Sequence, residues 1–324
     1  MKAIRLVRSG APQVLELHDL AVPTPSSGEV LVRVRFAGVN FADVTLRRAA
    51  HPWLDPPPLT PGFEASGVVA AVGEGVTETR PGERVATLHF GLGAYAEHQL
   101  VPASQVIPLP ADVSFESATA LMLQGLTAHV LTFENPKFAA GQVALIHAAA
   151  GGMGRLLTQW LKRRGATVIG TVSTPEKARL AAAAGADHVI DYRARDFAEE
   201  TLRLTHGRGA DFIIDGVGSA TFERNLEAVA PRGHIAFYGF ASGAPDALDL
   251  RRLMAKSVSV SGENVAGYVR SREELSRRAS AVFDAHREGA LVPRIERVLP
   301  LARAAEAHEL LESRATAGKV LLAI

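Results

Sequence analysis

Not one cysteine occurs in the 324 residues. That absence excludes disulfides, a thiol nucleophile and every zinc site built on thiolate. Histidine, aspartate and glutamate could still build a metal site, but the 11 histidines show no HxxxH or similar spacing, and no metal is expected. An excess of charge of one sign is lacking too. The 35 Lys and Arg against 34 Asp and Glu leave a net charge of +1, so nothing advertises nucleic acid or an anionic membrane. No apolar run approaches the roughly 18 residues of a membrane span. The N-terminus MKAIRLV continues into a strand-like pattern without a signal-peptide cleavage region, and a cytoplasmic protein is expected. Internal repeats and low-complexity tracts are also missing.

What is present fits an ordinary globular chain with a sizeable core, 47% hydrophobic and 21% charged, at a length that suggests two domains. The first 120 or so residues read as β-rich. In Glu29 to Ala37, Val30, Val32, Val34 and Phe36 alternate with Arg33 and Arg35, the period of a half-buried strand. Ala65 to Val72 and Arg84 to Leu88 are further strands, separated by Pro/Gly turns, and together they suggest a small barrel-like domain. From about Leu123 the pattern becomes alternating. Strands are expected at 142–147, 166–172, 187–191, 210–215 and 233–238, with helices at 153–164, 175–184, 196–206 and 219–229. Such βα units predict a parallel, doubly wound sheet with helices on both faces. A strand at 257–262, helices at 271–288 and 301–313, and a closing strand Lys319 to Ile324 complete the reading. A final strand after two helices fits a chain that returns to its first domain.

The most telling stretch is His147-Ala-Ala-Ala-Gly-Gly-Met-Gly154, which joins the apolar run Val143 to Ile146 to an amphipathic helix. Gly151, Gly152 and Gly154, with Met153 between them, remove the side chains that would keep backbone N–H groups from phosphate oxygens. The helix start then presents unpaired amides and its positive dipole end to a pyrophosphate. Tight turns also use glycine for φ > 0 alone, but here the flanking strand and helix are those of a dinucleotide site.

The strand Thr167 to Val172 does not end in the Asp or Glu that would accept bonds from the adenosine ribose of NAD. It runs instead into Ser173, a hydroxyl donor, and Lys177, a mobile cation one helical turn on. That pair suits a 2′-phosphate, so NADP(H) is expected, although Lys177 beside Glu176 can also be read as a solvated helix residue.

These segments resemble the medium-chain dehydrogenase/reductase family, and within it the zinc-independent NADPH:quinone oxidoreductases of the zeta-crystallin type. The resemblance rests on Gly38-Val-Asn-Phe-Ala-Asp43, Pro61-Gly-Phe-Glu-Ala-Ser-Gly67, Pro81-Gly-Glu-Arg-Val85 and Gln124-Gly-Leu-Thr127. It continues through HAAAGGMG, Gly185-Ala-Asp-His-Val-Ile-Asp-Tyr192, Asp215-Gly-Val-Gly218 and Glu312-Ser-Arg-Ala-Thr-Ala-Gly318, in family order over nearly the whole length. It implies an α/β chain: a β-rich GroES-like catalytic domain (1–122 plus 266–324) and a doubly wound Rossmann NADP-binding domain (123–265). Zinc enzymes of the family carry a cysteine and a histidine where this chain has Asn40 and Phe63, so the zinc-free branch is implied.

By resemblance, Asn40, Phe41 and Asp43 lie near the nicotinamide ribose, and Thr127 and His129 line the cofactor cleft. Gly151 to Gly154 hold the pyrophosphate, and Ser173, Lys177, Tyr192 and Arg314 surround the adenosine phosphate. Gly216 with Gly239, Phe240, Ala241 and Asn264 belongs to loops that hold the nicotinamide end. Blander readings stand beside these: Asn40 as a cap, His129 as packing, Tyr192 as a strand end, Arg314 as a surface cation, Gly216 as a turn glycine, and His147 as a satisfied core residue. Many quinone reductases of this type place a tyrosine two residues after the aspartate, where this chain has Thr45. Thr45, Arg47, Arg48, His51 and Trp53 are therefore candidates for a changed substrate pocket, with Asn40, Asp43, Thr45 and Arg47 taken as catalytic. The implied activity is NADPH-dependent reduction of quinones. Reduction of enones, alkenals or enoyl thioesters is the alternative, and a non-catalytic NADPH-binding protein is a further one. A homodimer joined along the strand near 257–262 is expected.

Overall fold

The computed structural model describes residues 1–49, 56–134 and 138–324. The chain forms two compact units, Met1–Leu126 with Ala266–Glu288 and Pro293–Ile324, and Thr127–Val265 with Gly289–Val292. His51 and Trp53 lie outside the described residues.

In the first unit β1 (Lys2–Leu6) pairs with β2 (Leu15–Asp19). The longest strand, β3 (Glu29–Val39), is followed by the short helix α1 (Phe41–Arg48). Next come β4 (Glu64–Val72), β5 (Arg84–Leu88), β6 (His98–Pro102), β7 (Val106–Pro108) and the helix α2 (Phe115–Phe133). The alternation read in the sequence holds: Val30, Val32 and Val34 are buried while Arg33 and Arg35 are exposed. Helix α2 has no polar face. No residue from Ala118 to Thr132 is exposed, so it is buried nearly all round.

The second unit alternates strand and helix. Its elements are β8 (Val143–Ile146), α3 (Gly152–Arg163), β9 (Thr167–Val172), α4 (Pro175–Ala183), β10 (His188–Asp191) and α5 (Phe197–Leu204). They continue as β11 (Ala210–Asp215), α6 (Ser219–Ala228), β12 (Val229–Phe237), the single turn α7 (Arg251–Met254) and β13 (Ser259–Gly262). Among the described residues the sheet runs β10-β9-β8-β11-β12-β13, every neighbour parallel. Succession runs outward from β8 to β10, then restarts at β11 on the other side. Right-handed crossovers in opposite directions put α3 and α4 on one face and α5 and α6 on the other. The core between them is Leu145, Ile169, Ile213, Phe222 and Ile235 with their neighbours.

The chain then returns to the first unit with α8 (Arg272–Arg287), β14 (Ile295–Pro300), α9 (Ala304–Glu312) and β15 (Lys319–Ala323). β15 inserts between β14 and β3, giving the order β14-β15-β3-β4-β5-β7 with β6 also on β3. Two consequences of register matter below. Val320 faces Val39, which brings Lys319 to the end of β3 beside Asn40. Ala65 faces Ala37, which sets Glu64 across from Gly38.

At the β8–α3 turn the helix sits directly on the strand end. A Cβ at Gly154 would lie 2.4 Å from the Ala148 carbonyl oxygen and 2.6 Å from Ala149 Cα. Gly154→Ala must therefore push α3 away from β8. A loss of about 1–3 kcal/mol in stability is expected, the usual result of overpacking, read as a lower urea midpoint at unchanged slope. An unchanged midpoint would show that the turn can relax freely.

Candidate active site

The glycine-rich turn lies at the carboxyl end of β8, whose two neighbours β9 and β11 are entered from opposite directions. That is the switch point where parallel sheets open a crevice for a ligand. Gly151 is the N-cap of α3, and the amides of Gly152, Met153 and Gly154 come too early in the helix to find an i−4 carbonyl. Ala148 takes a positive φ of 52° to start the turn, and its N–H neighbour Ala149 donates to Thr171 O on β9 at 3.0 Å. The turn is thus fixed to the sheet while three donors point outward from the helix start.

Other expected cofactor residues fall at the same edge of the sheet. Ser173 follows β9 directly, and Tyr192, following β10, donates its backbone N–H to Val172 O at 3.1 Å. Lys177 is in the first turn of α4, its own N–H accepted by the capping hydroxyl of Thr174 at 3.2 Å. The structure therefore brings Ser173, Lys177 and Tyr192 together. Gly216 follows β11, and the loop Gly239, Phe240, Ala241 follows β12. The two are laced by Ala241 N–H to Gly216 O at 3.0 Å and Ser242 N–H to Val217 O at 2.8 Å. Gly216 has no room for a side chain, because a Cβ there would lie 2.5 Å from the Tyr238 ring. Asn264 comes two residues after β13, at the same edge. His129 is on α2, its ring 4.7 Å from Phe133 and edge-on to Trp160 at 5.9 Å, an aromatic cluster two residues beyond Thr127. Arg314 follows α9 in the first unit and is exposed.

Below this edge is a buried polar string. Thr171 Oγ1, His147, Asn225 and Asp215 follow one another at 3.0, 2.8 and 2.6 Å, and Asp215 also receives Thr221 at 2.6 Å and the Val217 and Gly218 amides. Both ring nitrogens of His147 are satisfied, the expected state of a core histidine. Asn225 and Thr221 were not anticipated. A pattern read along one helix cannot show which residues meet an aspartate from another strand.

The first unit holds a second polar group. Asn40 follows β3 and is the N-cap of α1, and Asp43 at the third helical position accepts the Asn40 backbone N–H at 2.8 Å. The Asn40 side chain turns inward instead, donating to Glu64 Oε1 at 2.7 Å and accepting from Lys319 Nζ at 2.5 Å. Lys319 also donates to Glu64 Oε1 at 2.5 Å, and Glu64 Oε2 accepts the Leu123 amide at 2.5 Å. Lys319 is 1% exposed, and Glu64 and Asp43 are fully buried. Gly38 is the floor of this arrangement: a Cβ there would lie 2.1 Å from the Glu64 carboxylate. The sequence reading passed over Lys319, whose signal was only that a lysine opens an otherwise apolar final strand.

Three expected pocket residues, Thr45, Arg47 and Arg48, stand on α1. Arg47 is 1% exposed and engaged by Glu312 at 2.5 Å, by the Gly10 carbonyl and by His308. The guanidinium ties α1 to α9. Thr45 is exposed and spends its hydroxyl on the Phe41 carbonyl one turn back at 3.1 Å. Arg48 shares Glu312 at the surface, and Phe41 is half-buried.

Zinc does not fit this donor set. Asn40 has committed both its side-chain atoms, Phe63 has no donor, the chain has no thiol, and an ammonium already occupies the Glu64 oxygen. Among the described residues no group of three His, Cys, Asp or Glu side chains is placed to hold a metal ion, and no helix is long and apolar enough to cross a membrane.

Lys319 and Glu64 should be separable only as a pair. Lys319→Met alone leaves a buried carboxylate without its counter-charge and is expected to cost about 3–5 kcal/mol, measured by denaturant unfolding. Adding Glu64→Gln should recover a good part of that loss. Equal stability of the single and double variants would remove the ion pair from the account of this site.

Comparison with known proteins places these features. The family descriptions "Alcohol dehydrogenase GroES-like domain" and "Zinc-binding dehydrogenase" match residues 26–111 and 152–281. A 2-haloacrylate reductase from a Burkholderia species is 38% identical, with 97% of this chain and 96% of that protein covered. A quinone oxidoreductase of Pseudomonas aeruginosa is 39% identical, with 99% of each covered. The crystal structure of Escherichia coli quinone oxidoreductase complexed with NADPH superposes with a TM-score of 0.97 at 36% identity, covering 100% of both chains. The chain belongs to the medium-chain dehydrogenase/reductase family, in the branch of the quinone oxidoreductases.

Proposed function

We propose that this protein is an NADPH-dependent reductase that transfers hydride to quinones without zinc. The observation that carries the reading is full-length likeness to quinone oxidoreductases, one of them solved with NADPH, together with a phosphate-ready turn at the sheet's carboxyl edge. In this reading residues 123–265 are the NADP-binding domain and residues 1–122 plus 266–324 the catalytic domain. Gly151, Gly152, Met153 and Gly154 hold the pyrophosphate through backbone N–H groups, which the close approach at Gly154 supports. Ser173, Lys177, Tyr192 and Arg314 serve the adenosine phosphate. Gly216, Gly239, Phe240, Ala241 and Asn264 serve the nicotinamide end with Thr127 and His129, and Asn40, Phe41 and Asp43 the ribose and substrate end. NADPH, when bound, supplies the hydride, and the protein orients the acceptor and places charge around it. Without a Lewis acid the acceptor must take hydride readily, as a quinone does.

A second reading is favoured by the 2-haloacrylate reductase among the relatives. An alkene conjugated to a carboxylate accepts hydride by the same principle, and only the acceptor pocket need differ. Purified protein assayed with NADPH against a quinone series and against 2-haloacrylates and alkenals separates the two. Quinone turnover at least tenfold above alkene turnover is expected, and the reverse order would replace the first reading by the second. Tight NADPH binding with no acceptor turned over would favour a non-catalytic role.

Lys177→Ala tests the phosphate assignment. A charge-assisted bond contributes roughly 1.5–3 kcal/mol, so the KM for NADPH should rise about tenfold or more while that for NADH stays nearly unchanged. An equal loss for both nucleotides would remove Lys177 from the 2′-phosphate. The same reading takes the protein to be a cytoplasmic homodimer joined through β13, the end strand of its sheet among the described residues, since an end strand invites pairing. Light scattering at micromolar concentration should give twice the chain mass, and a monomer mass would reject the dimer.

A further inference from the structure

Asp215 ends β11 fully buried, and four donors converge on its carboxylate. Oδ1 accepts the backbone N–H of Val217 at 2.5 Å and of Gly218 at 3.1 Å. Oδ2 accepts the Thr221 hydroxyl and the Asn225 side-chain amide, each at 2.6 Å. A carboxylate has acceptors only, so it dictates the direction of every bond that reaches it. Asn225 must turn its NH2 to Asp215 and its oxygen to His147. The reversed amide would set an oxygen against a carboxylate. His147 must then carry its ring hydrogen on Nε2, which donates to Asn225 Oδ1 at 2.8 Å. With that hydrogen placed, Nδ1 accepts the Thr171 hydroxyl at 3.0 Å. The ring plane is held by Phe197, packed edge to face at 4.8 Å. Thr171, His147, Asn225 and Asp215 are all buried, and each link between them is a direct side-chain hydrogen bond.

The amides on Oδ1 belong to the turn 216–218, and that turn is locked to the loop that follows β12. Gly218 takes a φ of 92° and caps α6 without a side chain to offer. The second loop supplies what the helix start lacks. Gly243 O accepts the Ser219 N–H at 2.9 Å, and Ser242 Oγ accepts the Ala220 N–H at 3.0 Å while donating to Val217 O at 2.8 Å. The contact is tight, since a Cβ at Gly218 would lie 2.4 Å from the Gly243 carbonyl oxygen. The two loops are therefore held as one body, and Asp215 is the side chain that sets the turn on which both are built.

We propose that Thr171, His147 and Asn225 form a directed hydrogen-bond chain that fixes Asp215, and that Asp215 and Asn225 are positioning residues for the paired loops 216–218 and 239–243. Asp215 acts through the Val217 and Gly218 amides, and Asn225 acts through Asp215. The consequence for cofactor binding rests on the reading of these loops as the nicotinamide end of the site.

Exchanging the two polar groups tests the direction of the chain. Asp215→Asn alone turns one NH2 against the NH2 of Asn225, and Asn225→Asp alone sets two carboxylates against each other. The double variant D215N/N225D restores every bond. Its amide at position 215 donates to the carboxylate at 225 and to Thr221 Oγ1, and its oxygen still accepts the Val217 and Gly218 amides. The carboxylate at 225 still accepts from His147, and Thr221 keeps the Gly218 carbonyl as its acceptor at 3.0 Å. Calorimetry with NADPH and with 2′,5′-ADP, which has no nicotinamide end, reads the effect. Each single variant should bind NADPH about tenfold or more weakly, with 2′,5′-ADP bound as by wild type. The double variant should return to within about threefold of the wild-type NADPH affinity.

A double variant no better than the weaker single would overturn the chain, as would single variants that bind NADPH like wild type. Equal losses for the two nucleotides would also overturn it, because a general structural defect does not distinguish them. Spectra of 15N-histidine protein supply an independent reading. The His147 ring, identified by its absence in His147→Gln, should be the Nε2–H tautomer, and the Nδ1–H tautomer would reverse the chain and reject it. Wild type that binds neither nucleotide would fail the dinucleotide reading alone. The tautomer and the urea midpoints, lowered in both single variants and restored in the double, would still decide the chain.

Discussion

An ammonium group is buried in the first unit at 1% exposure, between a carboxylate and an amide oxygen. Taking such charges out of water costs several kcal/mol each, and only good geometry offsets it. The geometry comes from three strands in fixed register. β15 sets Lys319 beside Asn40, and β4 carries Glu64 over Gly38. A slip of one residue in either pairing would turn these side chains to the opposite face of the sheet. The charge cluster therefore pins the C-terminal strand into the sheet begun by β3, and with it the start of α1, where Asn40 and Asp43 stand.

The second unit is governed by backbone approach rather than by charge. Helix α3 can rest on the end of β8 because Gly154 brings no side chain to the contact, and the sheet order puts that turn at the switch point. The loops after β9, β10, β11, β12 and β13 come out at the same edge because all the strands are parallel. One topological fact thus gathers Ser173, Lys177, Tyr192, Gly216, the 239–241 loop and Asn264 from a stretch of some ninety residues. The aspartate string beneath, from Thr171 through His147 and Asn225 to Asp215, stiffens the floor under the glycine turns at β8 and β11. Fully satisfied buried networks of this kind favour one arrangement over its neighbours, since a broken link leaves a polar atom without water.

Arg47, a candidate because Thr45 stands where many quinone reductases have a tyrosine, spends its donors on α9 and the Gly10 carbonyl. Thr45, another candidate on the same helix, faces solvent and bonds the Phe41 carbonyl one turn back.

Local rules were enough for the alternation of β3, the β8 to β13 series, the turn at Gly151 to Gly154 and the missing carboxylate after β9. Each depends on neighbours within a dozen residues, where a period of two or of 3.6 is written directly in the order of side chains. Only the folded chain decided the rest. Glu64 and Lys319 are 255 residues apart, and Arg47 and His308 are 261 apart. Such partners are chosen by strand register and helix packing, and a buried charge has no way of naming its counter-charge until the strands that carry both are side by side.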